Sequence, residues 1–150
     1  LFEGCWYRLG EYYHDSRREG VQLTDDEYYE ALEALAGGRP IEAVVCDPSA
    51  ASFMAAVKKA GRFCVLRAKN DVLDGIRNVS GALRAGKLAI CPDCADSIRE
   101  FSLYSWEDGG QRDAPKKEDD HAMDDIRYFV SSVVAKEEGD AVFAVSVNRR

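Results

Sequence analysis

Apolar and polar positions repeat with two different periods along this chain. Residues 2–14, FEGCWYRLGEYYH, follow a period of two: Trp6, Arg8, Gly10 and Tyr12 lie against Tyr7, Leu9, Glu11 and Tyr13. This predicts one long strand, or two strands joined near Gly4. Asp15 to Gly20 is a polar turn. Thr24-Asp25-Asp26-Glu27 is a capping box, with Thr at the cap and Glu three residues on. It opens a helix to about Ala36 with Tyr28, Leu32 and Leu35 inward, stopped by Gly37-Gly38. Ile41-Glu42-Ala43-Val44-Val45-Cys46 is a short, mainly apolar run, which predicts a buried strand. Ser49 is placed to cap a helix from Ala50 to Ala60. Phe63 to Leu66 predicts a further strand, Asn70 or Asp71 caps a helix ending at Gly86, and Lys87 to Cys91 is another strand. A helix from about Asp93 to Tyr104 follows, then a polar loop over 107–118. An acidic segment next leads into a helix to about Lys136, and 141–147 is a final strand. Regular alternation of strand and helix predicts one α/β domain, its largely parallel sheet flanked by helices. In such sheets ligands sit beyond the carboxyl ends of the strands. Asp47 stands at such an end.

Composition adds bounds. The chain has 150 residues, 46% apolar and 31% charged, the size and make-up of one globular domain with a real core. No run reaches membrane-spanning length and the N-terminus shows no signal-peptide pattern, so the expectation is a cytoplasmic protein. The chain opens on Leu1, as a processed piece or fragment would. A net charge of −7 counts against binding nucleic acid by bulk electrostatics. It leaves open an enzyme that holds DNA through divalent cations, whose charge offsets the carboxylates.

The candidate chemistry lies in Asp119-Asp120-His121-Ala122-Met123-Asp124-Asp125, which places four carboxylates and one of only two histidines within seven residues. On a helix, Asp120 and Asp124 share a face, as do His121 and Asp124. Acids also suit a first helical turn for electrostatic reasons, so plain capping is an equally open reading. Asp47 likewise reads as a turn-former in Asp-Pro-Ser or as a site acid. Together, a strand-end acid and a helix acid can hold two divalent ions, which stabilise the attacking and leaving oxygens of phosphoryl transfer. Oxygen ligands suit Mg2+ or Mn2+. His121 can ligate a metal, orient a water or move a proton near neutral pH. His14 reads as a surface residue, and Asp119 and Asp125 as solvated acids. Lys58, Lys59, Arg62, Arg67 and Lys69 read as a solvated basic face. Cys91-Pro-Asp-Cys94 lacks the second ligand pair a structural zinc site needs, and Cys46 and Cys64 read as small hydrophobes in strands.

Four segments taken in order carry a resemblance. They are Asp47-Pro-Ser-Ala, Asn70-Asp71-Val-Leu-Asp74-Gly-Ile-Arg77, Ile98-Arg-Glu-Phe101 with Tyr104-Ser-Trp106, and Asp120-His-Ala-Met-Asp124 with Ile126-Arg-Tyr128. The set resembles the C-terminal nuclease domain of tailed-phage terminase large subunits, from about Trp6 to Tyr128. The resemblance implies an RNase H-like mixed sheet flanked by helices. It implies a metal-dependent endonuclease that cuts concatemeric viral DNA with two Mg2+ or Mn2+ ions in the cytoplasm of a bacterial host. Implied partners are double-stranded DNA, the portal and the small terminase subunit, with no membrane. By position, Asp47 resembles the central-strand acid, Asp124 the helix acid, and His121 the histidine three residues before it. Asp120 is a further candidate ligand. The family's first metal acid lies on a strand before the segment resembling Trp6 to Tyr13. The expectation is therefore a domain truncated at its first strand, without the ATPase domain and with weak or no cutting as it stands. The competing expectation is a non-catalytic RNase H-like module that docks on a portal or another packaging partner.

Overall fold

A computed structural model describes residues 1–107 and 114–135, together with the backbone of 136 and 144–147. The polar loop expected over 107–118 and the start of the last strand lie partly outside the described residues.

The short strand β1 (Trp6–Arg8) follows an isolated antiparallel bridge between Phe2 and Cys5. The polar turn at 15–20 is a short helix, α1 (Ser16–Glu19), because the Asp15 side chain caps it by accepting from the amides of Arg17 and Arg18. Helix α2 (Asp25–Ala36) carries the expected capping box: Thr24 accepts from the Glu27 amide and Glu27 accepts in return from Thr24. Then come β2 (Ala43–Cys46), α3 (Ala51–Ala60), β3 (Val65–Arg67), α4 (Val72–Arg84), β4 (Leu88–Ile90) and α5 (Ala95–Leu103). Helix α6 (His121–Ser132), a 3-10 turn (Val134–Lys136) and β5 (Ala144–Val147) complete the described chain. Element types agree with the hydrophobic pattern. The strand bounds differ from those of the apolar runs: β2 covers the last four residues of its run, β3 begins two residues late and ends at Arg67, and β4 covers the middle three of its run.

All named strand pairs are parallel. β2 lies between β3 and β5, with Val44 opposite Val65 and Val145, while β1 pairs with β4, Trp6 opposite Leu88. Every residue of β2 is buried. Its side chains alternate between two layers. Val44 and Cys46 pack with Tyr28, Leu32, Phe53 and Val57 of α2 and α3, and Val45 packs with Ile126 and Val130 of α6. The run is apolar throughout because helices cover both faces.

Helices α5 and α6 begin without a side-chain cap of their own. Neither Cys94 before α5 nor Asp120 before α6 makes a side-chain capping bond. Distant glutamates take the role. Glu11 accepts from the Asp96 and Ser97 amides at 2.6 and 3.1 Å, and Glu100 accepts from the Ala122 and Met123 amides at 2.7 and 3.3 Å. Each carboxylate satisfies two of the amides that a helix start leaves orphaned. The capping reading of Asp120 is thereby corrected: the cap of α6 comes from α5.

Candidate functional site

β2 delivers Asp47. The alternation that turns Val45 toward α6 also brings Asp47 to that side, where it is 5% exposed. Asp47 Oδ1 accepts from the amide and the hydroxyl of Ser49, both at 2.8 Å. Asp47 Oδ2 accepts from the Tyr128 hydroxyl at 2.7 Å. Ser49 therefore holds the acid instead of capping α3, which begins after Ala50 with no side-chain cap.

α6 delivers Asp124, 2% exposed, and Tyr128 one turn later on the same face. Asp124 Oδ1 accepts from Arg127 Nη2 at 2.8 Å. Arg127, itself 2% exposed, also donates to Asn70 Oδ1 and to the Asp71 carbonyl, both at 3.2 Å. One guanidinium thus joins the start of α4 to the acid of α6. Its stem lies against Gly75. The Tyr128 hydroxyl sits in the field of both acids. Burial foremost, then the bond to Asp47 and the charges of Asp124 and Asp47, hold its pKa well above the usual tyrosine range.

His121 opens α6, with its side chain 33% exposed. Its ring lies 6.1 Å from that of Tyr13, and its Nδ1 is 3.9 Å from Asp120 Oδ1. Asp120 is buried, with Lys117 Nζ at 3.8 Å. The structure thus ties Asp47, through the Tyr128 hydroxyl, to the helix that carries Asp124, and sets Asp120 and His121 together at the head of α6, with the His121 ring beside Tyr13. Among the described residues no three His, Cys, Asp or Glu side chains converge as a metal cluster. The two central acids are carboxylates held by hydrogen-bond donors, and that oxygen chemistry fits Mg2+ or Mn2+.

Several side chains lie elsewhere than the sequence suggests. Asp125 is not solvated: it is buried and ion-paired with Arg8, which also reaches Glu11 at 3.6 Å. His14 is not on the surface: its side chain is only 5% exposed, with Nδ1 3.0 Å from Glu19 and Nε2 2.8 Å from the Val21 carbonyl. Asp119 is exposed as expected and pairs with Arg99 at 2.8 Å. Cys64 is exposed, whereas Cys46 is buried, and that burial pushes its thiol up to about 12. Cys94 is buried with its thiol on the Arg8 carbonyl, and burial raises its pKa too. A raised pKa makes a thiol a poor nucleophile and a poor metal ligand. Arg62 is engaged with Glu33 and the Gly37 carbonyl, and Arg67 with the Pro48 carbonyl.

Tyr13 resembles Tyr128 in its electrostatics. Burial and its bond to Glu100 hold its pKa above the ordinary value. Both phenols bind their proton more tightly folded than unfolded. Their contribution is complete below the unfolded pKa of about 10 and is lost as pH rises from there through the folded values. The domain should therefore lose stability steeply above about pH 10. Tyr13→Phe and Tyr128→Phe should each flatten that loss in urea melts taken across the alkaline range. Identical alkaline profiles for wild type and both variants would contradict the assignment.

The site and fold together define a class: an α/β domain whose central parallel strand ends on an acid bonded to a late helix that carries a second acid. No protein-family model matches the chain, and no curated protein is a significant match. Solved structures do match. The large terminase from a thermophilic bacteriophage, in complex with ADP, is 41% identical over 89% of this chain, with a TM-score of 0.86. The same terminase with ATP-γ-S superposes with a TM-score of 0.86, and another crystal form with 0.84, both at 41% identity. The chain spans 35% of the length of the ADP-bound terminase it matches. It belongs to the phage large-terminase family, as a segment of that length, and shares its α/β fold.

Proposed function

We propose that this chain is the RNase H-like nuclease domain of a terminase large subunit, an endonuclease that cuts concatemeric viral DNA during genome packaging. The observation that carries this reading is the bond from the Tyr128 hydroxyl to Asp47, which ties the strand-end acid to the helix that carries Asp124, in a fold shared with a large terminase. In this reading Asp47 and Asp124 hold Mg2+ or Mn2+, and Asp120 and His121, at the head of α6, complete or assist the ligand set. Bound divalent ions would supply charge stabilisation to the attacking and leaving oxygens of the phosphodiester. The protein's own share is to hold both carboxylates in place: Ser49 and Tyr128 do so for Asp47, and Arg127 for Asp124. His121, partly exposed, is suited to orient a water or carry a proton. The partners are double-stranded DNA, the portal and the small terminase subunit, inside the bacterial host. No described helix is long and apolar enough to cross a membrane.

The test is plasmid cleavage in Mn2+ by the whole polypeptide that carries this chain, against its Asp124→Ala variant. Cutting should fall at least a hundredfold in the variant; equal cutting by both removes the assignment. One observation favours a second reading, a non-catalytic docking module: each acid already has a protein donor on it. That reading predicts no Mn2+-dependent cleavage by either form, and retention of the Asp124→Ala variant on immobilised portal protein.

A further inference from the structure

The metal-site reading leaves unexplained why a tyrosine, 1% exposed, directs its hydroxyl at a strand-end acid. A buried hydroxyl needs a partner, but a backbone carbonyl would serve as well. Three donors instead converge on one carboxylate. The Ser49 amide and hydroxyl meet Oδ1 from the turn after β2, and Tyr128 meets Oδ2 from α6. Donors on both oxygens fix the rotation of the carboxylate plane, which one donor alone would leave loose. The direction of the third matters further. Tyr128 lies one turn from Asp124, so its bond ties Asp47 to the helix that carries the other acid. Arg127, its neighbour, lies with its guanidinium carbon 4.7 Å from the Tyr128 ring centre while holding Asp124. Consecutive residues of α6 thus set the two acids in one frame.

We propose that Tyr128 is a positioning residue for Asp47, its buried hydroxyl fixing the direction in which that carboxylate meets a divalent cation. The proposal rests on the metal-site reading above. Outer partners of metal ligands typically contribute tenfold to a hundredfold in metal affinity. Tyr128→Phe removes the hydroxyl and keeps the ring, so the packing of α6 on β2 is retained.

The experiment is calorimetric titration of Mn2+ into the whole polypeptide that carries this chain, as wild type, Asp47→Asn and Tyr128→Phe, with a metal-free melt of each. The expected result is loss of the Asp47-dependent binding in Asp47→Asn, and about tenfold weaker binding in Tyr128→Phe. A merely structural tyrosine would lower the melting temperature and leave the Mn2+ isotherm in place. A wild-type isotherm in Tyr128→Phe alongside loss in Asp47→Asn therefore overturns the proposal and leaves the metal site standing. Identical isotherms for wild type and Asp47→Asn overturn the metal site, and the proposal with it.

Discussion

Replacing Glu100 by alanine is expected to destabilise the domain by about 3 kcal/mol, since buried donors left unsatisfied cost about 1–3 kcal/mol each. Glu100 is fully buried, and its carboxylate accepts from the Tyr13 hydroxyl at 2.6 Å and from the Ala122 and Met123 amides. Removing it strands a phenol and two amides at once, at the point where α6 begins. Partial rescue by water at the new cavity keeps the total below the sum of three full penalties. Glu100→Gln retains an acceptor oxygen but loses the charge that favours a helix start, and should cost about 1 kcal/mol. Urea denaturation gives both values. Hydrogen exchange gives the location: the Ala122 and Met123 amides should lose protection in Glu100→Ala while those of α2 keep it. Unchanged exchange at these two amides would show that α6 starts without Glu100. Because His121 and Asp124 lie in the first turns of α6, a frayed start should also lower any activity at the site.

The second large effect is expected at Gly75, and its sign is the informative part. Alanine in place of an exposed helical glycine ordinarily stabilises by about 0.5–1 kcal/mol. At Gly75 a methyl group would fall 2.4 Å from Arg127 Cγ and 2.6 Å from Cδ, with Ser131 Oγ at 3.3 Å. These atoms are the stem of a buried side chain whose head is anchored on Asn70, Asp71 and Asp124. The arginine must leave its place or the helices must part. Overpacking of this kind costs about 1–3 kcal/mol, and Gly75→Ala should lie at the upper end. Gly81 is the internal control. It lies on the same helix, and nothing stands within 4 Å of the added carbon. Gly81→Ala should raise stability by about 0.5–1 kcal/mol. Opposite signs for one substitution on one helix can be checked by paired urea melts. A stabilising Gly75→Ala would mean that α4 and α6 do not approach as described. Loss of the Arg127–Asp124 contact should also weaken Mn2+ binding in Gly75→Ala and leave it intact in Gly81→Ala.

Glu100 belongs to a larger circuit. Glu11 caps α5, Glu100 on α5 caps α6, Asp125 on α6 pairs with Arg8, and Arg8 reaches back to Glu11. This circuit of buried charges holds the head of α6 in place. Buried ion pairs are seldom the most effective source of stability, but breaking one by removing a single partner is strongly destabilising. Their contribution here is geometric: they fix the helix that presents Asp124 and Tyr128.

What the sequence determined by itself is whatever depends on near neighbours. The capping box at Thr24, a cap at Asn70 or Asp71 and the burial of β2 are visible in residues a few positions apart, because local hydrogen bonds and hydrophobic periodicity are local physics; the structure places the second cap at Asp71. Asp47 was legible as the acid ending the most apolar strand, and Asp124 as a carboxylate on a helix face. The family resemblance was legible from the order of short segments. The tertiary structure alone decided which donors those acids meet. The Tyr128 bond to Asp47 spans 81 positions and the Glu11 bond to Ser97 spans 86. No local pattern encodes a contact at that separation; it exists only once β2, α5 and α6 have packed. For the same reason Asp125 reads as a solvated acid in the sequence and is ion-paired with Arg8 in the fold, and nothing near Tyr128 in the sequence marks its hydroxyl as a partner of Asp47.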